Sequence, residues 1–352
     1  MKTCLVTSIS DSLTYTVAKA LAYSGHEVMV WVADAKIDRN WDWSLSRHIA
    51  AIPGVTMAEG DRATPPQHLD RLVVQINRKL LKDKDSLERL APVAQTITLI
   101  TLGDRRHTLG KALSQQWREW RWIHRWARKI DRVAYKDGFH NQDFWGLWKP
   151  RNVVGFDVHS KFLQDEGLFD SMHARDWDVD RCRTNLANFL GSRDPEVRER
   201  ILASVERYFT EPGDAMQKHH PGKSMRWLAY TDAQPAALSA QEFLDALTES
   251  DFTLAPPGYS RVTHRPVEAL LRGSIPVLNA DELDLYDLGL VDGVNCIAVP
   301  AGGWPDAMNR IFTMDEHGIR RMRRHILTML PQKVDYAPLA RDISCRLGVT
   351  ES

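Results

Sequence analysis

The chain of 352 residues lacks several features that would assign it to a common class of protein. Basic and acidic residues number 46 each, so no excess of one charge favours a nucleic-acid partner. No apolar run approaches the ~20 residues that a membrane-spanning helix needs. The apolar stretch from Cys4 to Ile9 is too short for a signal-peptide core, and only Lys2 precedes it as a basic residue. We therefore expect a cytoplasmic protein that binds no nucleic acid.

Cysteine is scarce as well. The four cysteines, Cys4, Cys182, Cys296 and Cys345, lie far apart and form no C-x-x-C pair. This spacing predicts neither a disulfide framework nor a zinc site, and it fits a reducing compartment.

Two nucleotide-binding motifs are incomplete. A strand from Thr3 to Ile9, a helix and a second strand from Val28 to Val32 predict a Rossmann-like start, but the loop between strand and helix has no glycine. A nicotinamide-dependent dehydrogenase is therefore disfavoured. The Pro221-Gly222-Lys223-Ser224 sequence resembles the end of a P-loop, yet Gln217 occupies the position of the required first glycine, which argues against an ATPase or kinase.

Metal ligands are equally sparse. Asp176, Asp178 and Asp180 have the D-x-D spacing with which metal-dependent transferases hold a divalent cation. A solvated acidic loop explains three residues in a polar stretch better. We therefore predict no metal site and no other cofactor.

The segment from Asp251 to Ala280 carries the strongest functional pattern. It predicts a strand, a loop with Gly258, a helix that begins near Ser260 or Thr263, a stop at Gly273 and a second strand. Such a unit places a loop and a helix N-terminus at the carboxyl end of a parallel sheet. Free amides and the helix dipole favour a phosphate there.

Charged side chains gather at the start of this predicted helix. Arg261, His264 and Arg265 can bind phosphate, and Glu268 can accept hydrogen bonds from two sugar hydroxyls. The pattern therefore predicts a nucleotide-sugar site. The alternative is an ordinary αβ unit in which Glu268 pairs with Arg265 along the helix.

The string from Gly258 to Val277, G-Y-S-R-V-T-H-R-P-V-E-A-L-L-R-G-S-I-P-V, resembles the donor-domain signature of exostosin-like glycosyltransferases. Upstream, Asn188 to Arg200, N-F-L-G-S-R-D-P-E-V-R-E-R, resembles the strand, G-x-R turn and V-R helix of the same family. The resemblance covers roughly Leu186 to Leu285. It implies an α/β fold of the GT-B type, with two Rossmann-like domains facing a cleft and the donor in the second.

The resemblance also implies roles for individual residues. Arg265, with Arg193 and Arg261, would stabilise the departing phosphate, and Glu268 would bind ribose or sugar hydroxyls. The implied donor-binding residues are Gly191, Ser192, Arg193, Gly258, Ser260, Arg261, Thr263, His264, Arg265 and Glu268. The nucleotide sugar is then a substrate, and the acceptor is a glycan or glycolipid.

Arg193 has an equally good structural explanation from the sequence alone. It follows Gly191 and Ser192 at the end of a predicted strand, where it could be a turn arginine paired to Asp194 or Glu196. The sequence leaves both roles open.

A general base would come from the first domain. Asp11, in the loop after the first strand, is a weak candidate, because a role as the cap of the following helix explains it better. Competing candidates are Asp104, His107, His140 and Asp157.

Residues Gln115 to Phe139 are rich in tryptophan and arginine. Placed on a helix, the arginines fall within one arc opposite an apolar face; they are Arg118, Arg121, Arg125, Arg128 and Arg132. This predicts either a core-packed helix with a solvated basic face or a peripheral contact with anionic lipid. A second basic helix, from Gly318 to Leu330, is predicted to carry Arg323 on its surface.

We place the domain boundaries at 1–148 and 149–330, with a strand from Arg151 to Val158 opening the second domain. Residues 331–352 form a tail that could return to the first domain. The resemblance implies inverting, metal-independent sugar transfer, and we predict a role in bacterial lipopolysaccharide, capsule or other surface glycan assembly. The alternatives are a nucleotide-sugar epimerase and a non-catalytic nucleotide- or glycan-binding module.

Overall fold

The structure, a computed structural model, describes residues 1–40, 42, 44–76, 80, 84–101, 121, 124–135, 152–153, 158, 160–165, 168, 177–234, 238–258 and 262–349. The chain divides into two compact units. The first comprises residues 1–164 and 335–352, and the second comprises residues 165–334.

The first unit contains a seven-stranded sheet in the order β3-β2-β1-β4-β5-β6-β7, and all neighbouring strands are parallel. The strands are β1 Lys2–Thr7, β2 Glu27–Val32, β3 Val55–Glu59, β4 Leu69–Ile76, β5 Ala94–Thr101, β6 Ile130–Tyr135 and β7 Asn152–Val153. The helices with described bounds are α1 Ser12–Tyr23, α2 Ala35–Arg39, α3 Ser46–Ala50, α4 Lys84–Leu90 and α5 Ser160–Leu163. Apolar runs such as β1 and β4 are buried nearly throughout, as expected for strands covered on both faces.

The C-terminal helix belongs to this first unit. Helix α12, Tyr336–Leu347, packs against α1. The Leu347 carbonyl accepts a hydrogen bond from the Thr98 hydroxyl at 3.0 Å, and the Val349 carbonyl lies 3.1 Å from a ring nitrogen of His26. The chain therefore returns from the second unit to the first between residues 334 and 335.

The domain boundary differs from the predicted one. Asn152–Val153 is a strand, but it pairs with β6 at the edge of the first sheet and does not open the second unit. The boundary moves from residues 148 and 149 to residues 164 and 165. Sequence alone could not show which sheet an isolated apolar strand joins.

The predicted basic helix from Gln115 to Phe139 is wrong over its last part. Ile130–Tyr135 forms strand β6, which pairs with β5. Arg132 lies on this strand and donates to the Cys345 carbonyl at 3.3 Å, while Arg125 pairs with Glu88 at 2.7 Å. Arg132 therefore does not share a helix face with Arg125. Residues 115–120, 122–123 and 136–139 of the prediction lie outside the described parts.

The second unit contains a five-stranded parallel sheet in the order β12-β11-β10-β8-β9. The strands are β8 Asn185–Ser192, β9 Ser224–Tyr230, β10 Ser250–Leu254, β11 Ile275–Asn279 and β12 Ile297–Val299. The α-helices with described bounds are α6 Glu196–Thr210, α7 Gly213–His219, α8 Ala240–Thr248, α9 Arg265–Leu271, α10 Trp304–Thr313 and α11 Glu316–Lys333. Among the described residues no helix is both long and apolar enough to cross a membrane.

Local signals explain several boundaries in this unit. Ser239 and Glu242 form a capping box at the start of α8. After α9, Gly273 adopts a φ of 66°, a left-handed conformation that favours glycine and ends the helix where predicted.

A buried ion cluster lies at the amino end of β10. The Asp251 carboxylate binds both the Arg323 guanidinium and the Lys223 ammonium, and Lys223 also pairs with Glu316. The side chains of Asp251 and Arg323 are fully buried, so the prediction that Arg323 lies on the surface of its helix is wrong. Burial lowers the pKa of Arg323 to about 9.

Candidate functional site

The order of strands in the second unit marks the place where a ligand is expected. The chain leaves β8 for β9 on one side and leaves β10 for β11 on the other, while β8 and β10 are neighbours. Loops that diverge in this way leave a crevice beyond the carboxyl ends of the two strands, where open α/β sheets bind ligands. The predicted donor-binding residues lie at the end of β8 or after β8 and β10.

Gly191 and Arg265 come together at this crevice. A Cβ built on Gly191 would lie 3.1 Å from the Cζ atom of Arg265 and closer still to Nη2. The guanidinium also lies 4.9 Å from the ring centroid of Phe189 and 6.0 Å from that of Phe243. The glycine therefore gives the arginine room to lie against the end of β8.

Arg265 is half-buried at the crevice and packs against aromatic rings. Burial lowers the pKa of Arg265, and the nearby Glu268 carboxylate acts in the opposite direction. Glu268 is itself buried, one turn along α9. An arginine keeps its proton even so, and a half-buried charge acts more strongly on an anion than a charge surrounded by water.

Arg193 is held by carboxylates of the neighbouring helix. It pairs with Glu199 at 3.0 Å and with Glu206, both on α6. Burial opposes its charged form, but hydrogen bonds to Glu206 and Glu199 outweigh that effect and raise the pKa of Arg193. The structure thus shows a paired arginine, with partners other than the adjacent Asp194 and Glu196.

Three further predicted residues lie on the segments that border the crevice, Ser192, Thr263 and His264. The Ser192 hydroxyl donates to Asp232 at 2.7 Å. The Thr263 amide donates to the Tyr286 hydroxyl at 2.9 Å, which fixes the backbone just before α9. His264 is half-buried beside this turn. Ser260 and Arg261 lie outside the described residues.

Sequence analysis missed two residues that shape this site. Arg198, on α6, donates hydrogen bonds to carbonyls of both loops. Its only signal was its place in the V-R helix of the family pattern. Tyr286 gave no signal, because its contact with Thr263 depends on the packing of the segment after β11.

In the first unit Asp11 acts as a helix cap. Its carboxylate accepts from the Thr14 amide at 2.9 Å and from the Thr14 hydroxyl at 2.8 Å. A second acid, Asp38, lies near the same loop, where it is buried and accepts from the Ser10 amide and the Ser44 hydroxyl. The competing candidates Asp104, His107, His140 and Asp157 lie outside the described residues.

The acids of the D-x-D pattern are used in local structure. The Asp178 carboxylate accepts from the Asp180 amide at 2.8 Å, and Asp180 pairs with Arg324 at 2.7 Å. Asp176 lies outside the described part of the chain. Among the described residues no group of three or more acidic, histidine or cysteine side chains is placed to hold a metal ion.

The segment that forms this crevice matches a known protein family. Residues 168–285 match the RXYLT1 C-terminal domain. The RXYLT1-like segment contains β8, β10 and both crevice loops, and it makes up about a third of the chain. The resemblance to exostosin-like glycosyltransferases is thereby confirmed for this segment. No curated protein matches the chain in sequence.

Solved structures extend the similarity to the whole fold. Anabaena HepE in complex with UDP superposes with a TM-score of 0.57 at 14% identity, covering 99% of this chain and 100% of that one. An alpha-glucosyltransferase in complex with UDP-glucose and DNA containing an abasic site gives 0.54 at 11% identity, covering 94% and 95%. Sucrose-phosphate synthase from Thermosynechococcus elongatus gives 0.53 at 12% identity, covering 98% of each chain.

These comparisons agree on the fold and the class of protein. The prediction of a GT-B fold, built from two parallel-sheet α/β domains, is confirmed. The prediction of a glycosyltransferase agrees with both the RXYLT1-like segment and the structural matches.

Proposed function

We propose that the chain is a glycosyltransferase whose second unit binds the diphosphate of a nucleotide-sugar donor at the carboxyl ends of β8 and β10. The observation that carries this proposal is the contact between Gly191 and Arg265 at the crevice where the strand order reverses. HepE, which has a similar fold, was solved with UDP and with UDP-glucose, so UDP is the first nucleotide to test.

The chemistry follows from the fixed charge of Arg265. In sugar transfer the bond from the sugar C1 to the diphosphate oxygen breaks while a bond from C1 to the acceptor oxygen forms. The diphosphate leaves with negative charge, which the Arg265 guanidinium stabilises without reorganising. Glu268 accepts hydrogen bonds from donor hydroxyls. This proposal uses a fixed cationic side chain, Arg265, for the leaving group, which favours metal-independent catalysis.

In this proposal the first unit binds the acceptor and supplies the general base. An inverting transfer is a single displacement, so one base must take the proton of the acceptor hydroxyl. Asp11 is a weaker candidate than its position suggested, because its carboxylate already caps α1. We propose a glycan or glycolipid acceptor and a role in bacterial surface glycan assembly on the cytoplasmic side of the membrane.

A thermal-shift screen of nucleotides and nucleotide sugars tests this function. At a ligand concentration of 100 times Kd, binding adds about 2.7 kcal/mol to stability. We expect one nucleotide sugar to raise the melting temperature of the wild type but not that of Glu268→Ala.

The matched control is Glu196→Ala, which removes a highly exposed carboxylate from the start of α6. This variant should respond as the wild type does. Equal stabilisation of the wild type and Glu268→Ala would remove Glu268 from the site, and no response to any nucleotide would overturn the proposed function.

A further inference from the structure

Arg198 connects the two loops that border the crevice. Its Nη1 atom donates to the carbonyls of Ser192 and Asp194, each at 3.1 Å. Its Nε atom donates to the Pro257 carbonyl at 3.2 Å. Ser192 is the last residue of β8 and Asp194 follows it, whereas Pro257 follows β10. One planar guanidinium therefore spans both loops.

A glycine makes room for this arginine too. A Cβ built on Gly258 would lie 3.3 Å from the Cζ atom of Arg198 and closer still to Nη2. Because Gly258 has no side chain, the guanidinium can approach the backbone of the loop after β10.

The two glycine–arginine contacts are reciprocal. Gly191, on β8, accommodates Arg265 from the helix that follows β10. Gly258, after β10, accommodates Arg198 from the helix that follows β8. Each of the two loops thus contacts an arginine from the helix that follows the other loop. A shift of either loop must therefore displace one of these two arginines.

We propose that Arg198 is a positioning residue that fixes the two loops at the spacing the diphosphate requires, an inference that rests on the proposed function. Three of the five N–H donors of Arg198 bind backbone carbonyls, and in the proposed function the role of binding phosphate falls to Arg265. The planar fork of the guanidinium matters here, because a lysine ammonium is a single point charge on a flexible stem. Lysine can bond to one loop, but it cannot hold both in the same geometry.

Arg198→Lys is the variant that tests this role, with Arg200→Lys as its matched control. Arg200 lies on the same helix and is exposed. Hydrogen–deuterium exchange is measured on peptides covering residues 191–195 and 255–264, and UDP binding is measured by titration calorimetry. We expect exchange to accelerate at least tenfold in both loops of Arg198→Lys and the UDP Kd to rise about tenfold, with Arg200→Lys unchanged.

Gly258→Ala provides a second variant that keeps the arginine. Its new Cβ should displace Arg198 and give the same phenotype, and the double variant Gly258→Ala with Arg198→Lys should be no worse than either single change. Faster exchange in only one loop, or loosened loops with an unchanged UDP Kd, would overturn the inference. A wild type with no affinity for UDP would count against the nucleotide assignment instead, and the exchange data would still test the bridging role.

Discussion

Replacing Asp251 by alanine should lower the free energy of unfolding by about 3–5 kcal/mol, because breaking a buried ion pair leaves its partner charge uncompensated. Here Arg323 loses its counterion, and Lys223 keeps only Glu316. Arg323 and Asp251 are fully buried, and the Lys223 side chain is only 6% exposed. Since domains are stable by only about 5–15 kcal/mol, this single change should remove a substantial part of the stability of the second unit.

Denaturant unfolding of the full chain, followed by tryptophan fluorescence, measures the effect of Asp251→Ala. Asp214→Ala removes an exposed carboxylate from α7 in the same unit and should change stability by no more than a few tenths of a kcal/mol. If Asp251→Ala unfolded at the same denaturant concentration as Asp214→Ala, the ion cluster would not stabilise the unit.

Replacing Arg265 by methionine should weaken UDP binding by about tenfold to hundredfold. A hydrogen bond to a charged group contributes about 1.5–3 kcal/mol, and about 1.4 kcal/mol corresponds to a factor of ten in Kd. Gly191→Ala should act in the same direction, because the added Cβ would overlap the Arg265 guanidinium. Titration calorimetry with UDP measures both variants.

The double variant distinguishes this account from general damage to β8. If Gly191→Ala acts only by displacing Arg265, then Gly191→Ala combined with Arg265→Met should bind UDP no more weakly than Arg265→Met alone. Arg207→Met, which removes an exposed arginine near the end of α6, should bind as the wild type does. Fully additive losses in the double variant would show that the two residues act independently.

Much of the second unit was predictable because its signals are local. β8, β10 and β11 appear in the sequence as short apolar runs bounded by turn residues, and the capping box before α8 and Gly273 after α9 mark helix ends. The two loops could be assigned to one site because both follow strands of a parallel sheet. The G-x-R and R-P-V-E patterns, and their order along the chain, then identified the candidate donor-binding residues in these loops.

The predictions that were wrong concern features that depend on contacts between residues distant in sequence. Ile130–Tyr135 contains β-branched and aromatic residues at spacings that suit either a helix or a strand, and pairing with β5 decides the outcome. Arg323 is buried only because Asp251 lies across from it in the fold. No pattern along the sequence encodes that pairing, and the same holds for the bridge that Arg198 makes to Pro257.

The most direct test of the central claim is a crystal structure of the protein grown with UDP. The account predicts that the diphosphate lies beyond the carboxyl ends of β8 and β10, within hydrogen-bond distance of the Arg265 guanidinium, with Gly191 beneath it. A diphosphate bound at another place in the second unit, or bound in the crevice without contact to Arg265, would contradict it.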